Sequence, residues 1–210
     1  DFLTNTYIGN HPKTPYQYID ADNFNSNTYT NYTGNLHWVN KMDTLGTQLS
    51  ADLDFVKITN RGDGHFYNYF TDIQNTHQTQ DFLYTSTPNG YNIYSGKIDF
   101  VRPLKGTHKV EAGAKASHVV SDNDSRFYFA NSGLVLDPLR TNHFKFKETI
   151  YAAYVNWSGP ISKKVTVQTG LRAEQTENTG RQLTTGQDSS RSYLGLFPSV
   201  FVQQKVTDNY

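Results

Sequence analysis

Cysteine is absent from this chain, so neither a disulfide scaffold nor a thiolate metal site can form. An excess of charge is missing too. Its 19 basic and 19 acidic residues cancel, which removes the electrostatic argument for nucleic acid as a partner, and no Lys/Arg run suggests a polybasic membrane patch. No apolar run approaches the ~18 residues of a helical membrane span. Glycine-rich phosphate loops and a Gly-x-Ser-x-Gly nucleophile elbow are lacking as well. The chain opens at Asp1-Phe2-Leu3 without a charged-then-apolar signal segment, and the expectation is an internal piece of a longer protein.

What is present is an unusual balance. Hydrophobic residues make up 36% of the 210 residues, yet aromatics reach 14%, mostly 15 Tyr and 13 Phe. Mean hydropathy is −0.67, low for a packed domain. Strands that bury one face and cap it with aromatic girdles fit this balance. So does a secreted sugar-binding β protein.

Period-two alternation decides further. In residues 164–174, Val165, Val167, Leu171 and Ala173 point one way, and Lys164, Thr166, Gln168, Arg172 and Glu174 the other. In residues 47–59, Leu49, Ala51, Leu53 and Phe55 oppose Gln48, Ser50, Asp52 and Asp54. Further strands are expected at 29–40, 91–102, 108–120, 148–157 and 192–204, with Pro198 an awkward guest in the last. In 148–157 the expected apolar face is Ile150, Ala152 and Tyr154, although Tyr151, Val155 and Trp157 are nearly as apolar.

Links alternate along the chain: short at 42–46, 103–106 and 158–163, long and polar at 60–89, 121–145 and 180–191. Residues 1–28 read as extracellular loop or the end of a preceding strand, and 29–210 as part of a barrel domain. Strands of roughly 11–13 residues match the ~9–11 needed to cross a bilayer at a tilt, where soluble strands run about 5–6. The fold expected is all-β: an antiparallel up-and-down transmembrane β-barrel segment of seven to eight long strands, an arc of a larger barrel. Short turns then mark the periplasmic side, with Trp38 and Trp157 at that interface.

Several strings resemble the outer-membrane β-barrel domain of TonB-dependent receptor-like proteins of the Bacteroidetes type. They are Tyr94-Ser95-Gly96-Lys97-Ile98-Asp99-Phe100, Lys109 to Lys115, Tyr154-Val155-Asn156-Trp157, Val167 to Glu174, Leu196-Phe197-Pro198-Ser199-Val200 and Thr207-Asp208-Asn209. The resemblance spans about residues 29–210. It implies the wall of a large plugged barrel that takes up a scarce nutrient such as a siderophore or glycan. The implied partners are outer-membrane lipid, the remainder of the same barrel with a plug domain, and a TonB complex contacted through parts not present here. No nucleic acid, cofactor or metal is expected.

Each candidate site in the sequence has a blander reading beside it. Histidines 11, 37, 65, 77, 108, 118 and 143 show no ligand spacing. Asp122-Asn123-Asp124-Ser125 starts like a calcium loop but lacks the glycine and distal Glu, so a polar loop tip is the better reading. The sequons at Asn31, Asn123 and Asn156 read as chance matches, two of them inside strands. Asp52 and Asp54 read as lumen lining rather than an acid–base pair, and enzyme activity is not expected. Glu111, Lys115, Arg172 and Glu174 join them as lumen-facing residues. Phe66, Tyr67, Asn68 and Tyr69 offer stacking faces and hydrogen bonds for an extracellular ligand, with a strand extension or girdle as the alternative. The competing functions are a structural or adhesive barrel without transport and a soluble carbohydrate-binding β-sandwich.

Overall fold

The computed structural model describes residues 2–11, 14–74 and 78–206. The strands are β1 (Phe2–His11), β2 (Thr14–Lys41), β3 (Gln48–Asp72), β4 (Gln78–Pro103), β5 (Lys109–Phe129), β6 (Val135–Leu136), β7 (Asn142–Ser162), β8 (Val165–Gln182) and β9 (Gln187–Gln204). They form one antiparallel sheet in the order β1-β2-β3-β4-β5-β7-β8-β9, with the two-residue β6 pairing back onto β5. Neighbours in sequence are neighbours in space, the up-and-down arrangement, and β1 and β9 do not meet. The sheet is an open arc.

Its two faces follow from register, because residues paired across an antiparallel ladder share a face. One row runs Trp38, Ala51, Ile98, Ala114, Ala153, Ala173 and Leu196. We term this the belt face. On β5 it continues through Val110, Ala112, Ala116 and Val120. Ten residue rises from Val110 to Val120, at ~3.4 Å each and a tilt near 45°, give about 24 Å, the height of a barrel's lipid band. The opposite, charged face carries the row His37, Asp52, Lys97, Lys115, Ala152, Glu174 and Gly195.

Among the described residues no second layer covers the belt. Leu36, Leu53, Leu194 and Leu196 are each more than half exposed, and Ala152 is the one hydrophobic side chain buried among the described residues. A sandwich needs two sheets around a shared core; the soluble carbohydrate-binding reading fails here. The belt also crosses the ladder obliquely. The row through Phe55 and Tyr94 ends at Glu177 and Ser192, while the row through Val200 begins at Arg102 beside a turn. A level apolar band slides along the hydrogen-bonded rows when strands tilt against it.

The strands correct several boundaries read from sequence. The link expected at 60–89 is largely ladder, as β3 continues to Asp72 and β4 begins at Gln78. Residues 180–191 reduce to a short turn through Gly186, whose φ of +72° suits glycine. Residues 14–28, read as loop, are extended and paired, Phe24 with His65 and Thr28 with Arg61. Beyond the belt both faces are wet, so the apolar alternation stops while backbone pairing goes on. Pro198 lies within β9 opposite Leu171, and the β8–β9 pairing runs unbroken through it. The Thr207-Asp208-Asn209 string lies outside the described residues.

Candidate functional site

The charged face holds all six residues singled out as lumen-facing. Asp52, Lys115 and Glu174 share one row, with Asp54, Arg172 and Glu111 in flanking rows of the same parity. Side chains two apart on a strand lie on one face within reach of each other, and the array uses this spacing. Arg172 pairs with Glu174, Lys97 with Asp99, and Lys109 Nζ with Glu111 at 2.9 Å. Across strands, His37 Nδ1 lies 2.5 Å from Asp52 Oδ1. Asp54 accepts from Asn35 Nδ2 at 2.6 Å and from Ser95 Oγ at 2.9 Å. The result is a hydrogen-bonded polar surface with charges of both signs.

Tyr154 is a member of this array that the alternation in sequence misassigned. Its hydroxyl donates to Asp99 Oδ1 at 2.5 Å, two strands away. It reaches there over Gly113, where an added Cβ would stand 2.5 Å from both Asp99 Oδ1 and the Tyr154 ring. The expected parity of 148–157 is therefore reversed. Ile150, Ala152 and Tyr154 lie on the charged face, and Tyr151, Ala153, Val155 and Trp157 on the belt.

The cause is a one-residue irregularity. Ser162 pairs with Val165 at the turn, but Pro160 pairs with Thr166, so a bulge at Ile161 shifts the register. Carried on without the bulge, the turn's register would place Ala153 opposite Glu174 and aim Tyr154 at the belt. The charged partners Asp99 and Arg172 are the one sequence signal for the phenol's true side.

The four aromatic-loop candidates do not make one surface. Phe66 and Asn68 fall on the charged-face side of β3, and Tyr67 and Tyr69 on the belt-face side. Adjacent strand residues point oppositely, so four in a row cannot converge on one ligand. Tyr67 joins an aromatic cluster with Phe24, His65 and Phe82, its ring centroid 5.2 Å from that of Phe82. Trp38 and Trp157 both lie on the belt near short turns, and Trp157 stacks on His108 at 5.4 Å.

Of the histidines, His37 and His143 contact carboxylates, His118 contacts Thr149, and residue 77 lies outside the described residues. Among the described residues no group of three or more His or carboxylate side chains is arranged to hold a metal. Asp122-Asn123-Asp124-Ser125 is β5 strand rather than loop, with Asp124 held by Arg126 and Asp122 by His143 and Lys145. Burial alone would push the Asp122 carboxyl up, but the bonds from Lys145 and His143 hold it below the usual carboxylate range.

The outer membrane protein beta-barrel family model matches residues 40–210. The chain belongs to the outer membrane protein beta-barrel family. Membership explains the belt: the family's barrels stand in the outer membrane, and lipid rewards an uncovered apolar face. No curated protein matches the sequence. Among solved structures, one chain of similar shape is the ferric citrate transporter FecA in its unliganded form, at 13% identity and a TM-score of 0.48. The match covers 91% of this chain and 34% of FecA, so the chain spans about a third of that transporter.

Proposed function

We propose that this stretch is wall of an outer-membrane TonB-dependent receptor, of the Bacteroidetes type, that takes up a scarce nutrient such as a siderophore or glycan. The single observation that carries the reading is the charged face. Asp52, Asp54, Glu111, Lys115, Arg172 and Glu174 lie behind the lipid belt on a wall that is still open after eight paired strands. An interior this polar, in a barrel wider than eight strands, suits a plug and a hydrated path. Phe66 and Asn68 would meet the ligand at the extracellular mouth. Tyr67 and Tyr69, on the other side, would not. The plug and the TonB-contacting parts belong to other segments of the protein, and residues 14–28, the end of β2 far from its short turn, stand on the extracellular side.

The test is accumulation of labelled ferric siderophores and oligosaccharides by cells carrying or lacking the full-length protein, with and without a protonophore. Uptake that needs both the protein and the proton gradient supports the reading. No protein-dependent uptake of any substrate would favour a structural or adhesive barrel.

A further inference from the structure

The charged face does not keep its charges to the top of the wall. Above the row of Val56, Ile93, Val119 and Glu148, the rows from Ile58 to Gly64 carry no charged side chain on that side among the described residues. The fullest row runs unbroken from Tyr29 through Asn60, Asn89, Asn123 and Phe144 to Gln182. The row beneath it holds Asn31, Tyr91, Ser121 and Phe146. Charge is not scarce in these segments; it is sorted. Arg61, Asp63, Asp122, Asp124, Arg126 and Lys145 alternate with these residues in sequence, and every one of them takes the opposite face. The uncharged band is bounded by Glu148 and Arg191 one row below it. Above it stand Asp81 and Arg140, the latter paired with Asp137 and lying over the Phe129 ring.

The band's shape and chemistry point to one class of molecule. A Cβ added at Gly180 would stand 2.9 Å from the Phe144 ring, so the ring lies down over the glycine with its other face open. The Phe66 ring does the same at Gly64. Asn123 Nδ2 donates to Ser121 Oγ at 3.1 Å, and Gln182 Nε2 donates to Asn142, which lines the amides along the wall. An amide offers an acceptor oxygen and two N–H donors, the complement of a hydroxyl that donates once and accepts twice. Ring faces among the amides stack on the C–H faces of sugars. A charged ligand in the same band would shed water and meet no counter-charge. Five inter-strand steps of ~4.8 Å from Tyr29 to Gln182 give about 24 Å of contiguous surface, room for several sugar rings.

We propose that this amide and aromatic band selects the cargo, and that the cargo is an uncharged oligosaccharide rather than a ferric siderophore. Asn60, Asn89 and Asn123 read its hydroxyls, and Phe144 stacks on its rings. The inference rests on the uptake reading above and narrows its substrate.

Binding needs no proton gradient, which separates this test from that of uptake. The full-length protein in phospholipid nanodiscs is offered neutral oligosaccharides of glucose, mannose, xylose or fructose, oligogalacturonates of the same lengths, and ferric siderophores both charged and neutral. Bound ligand is counted by native mass spectrometry. Neutral oligosaccharides should be retained over both other groups. Asn89→Leu and Phe144→Leu should each weaken that retention about five-fold. Lys57→Gln, on the opposite face, should leave it unchanged. Asn123→Leu repeats the amide test should the Asn89 variant lose its folded mobility on gels. Retention of an oligogalacturonate or a ferric siderophore over every neutral sugar, or of no neutral sugar at all, would overturn the proposal. So would amide and Phe144 variants that bind like the parent. Gradient-dependent uptake of a ferric siderophore alone would overturn it while upholding uptake. Retained neutral sugar without any protein-dependent uptake would uphold the sugar-reading band and overturn transport instead.

Discussion

Gly113 leaves the opening through which the Tyr154 hydroxyl reaches Asp99, and that contact joins β4, β5 and β7 on the charged face. Tyr154→Phe removes a hydrogen bond to a carboxylate and should cost about 1.5–3 kcal/mol. Gly113→Val displaces the ring, so the same hydrogen bond is lost, and overpacking adds about 1–3 kcal/mol. Urea unfolding of the full-length protein in detergent gives the order: valine worse than phenylalanine. The reverse order would mean the ring does not cross the glycine. Above the belt, hydrogen bonds from Ser86 and Tyr84, with Arg61 beside them, hold the Asp63 carboxyl below the usual range. A depressed carboxyl stabilises the folded state fully above the unfolded value of ~3.9, and that contribution fades as pH falls through the lower folded value. Amide exchange protection of the β3–β4 extension should therefore weaken in that acid window, and Asp63→Asn should remove the step. Ion pairs such as Lys97–Asp99 and Arg172–Glu174 are legible in sequence, because two residues apart in a strand means one face.

At the scale of elements, the alternation of Leu49 to Phe55 and of Val110 to Ala116 was legible because a belt needs it. The parity of β7 was not. Both faces of 148–157 are nearly apolar, and the bulge at Ile161 hides the register until the ladder is seen. The extensions escaped notice for the opposite reason. Thr59-Asn60-Arg61-Gly62-Asp63-Gly64 has no apolar face, yet each residue is paired on both sides. Of the candidate site, the charged residues were found together and Tyr154 was missed. Phe66 to Tyr69, contiguous in sequence, were split by the pleat. The belt makes a directional prediction. Ala114→Arg, at mid-belt, should destabilise by about 2–4 kcal/mol, whereas Lys115→Ala on the other face should stay below ~1 kcal/mol. Unfolding midpoints in lipid vesicles measure both, and equal costs would remove the distinction between the faces.

For the whole molecule, the open arc ties the account together. Eight strands in sequence order leave outer edges at β1 and β9, and lipid offers no water to unpaired backbone groups. The wall must therefore be continued by other strands, its belt toward lipid and its charges toward an interior. The most direct measurement of that claim is cysteine accessibility along β7, and the chain helps by having no cysteine of its own. Single cysteines at 148 to 155, in the full-length protein in outer-membrane vesicles, would be exposed to a small water-soluble thiol reagent. Labelling at 148, 150 and 154, with protection at 149, 151, 153 and 155, is the result the account predicts, and 152 labels weakly because its neighbours on the charged face bury it. Labelling with the opposite parity, or evenly at all eight positions, would contradict it.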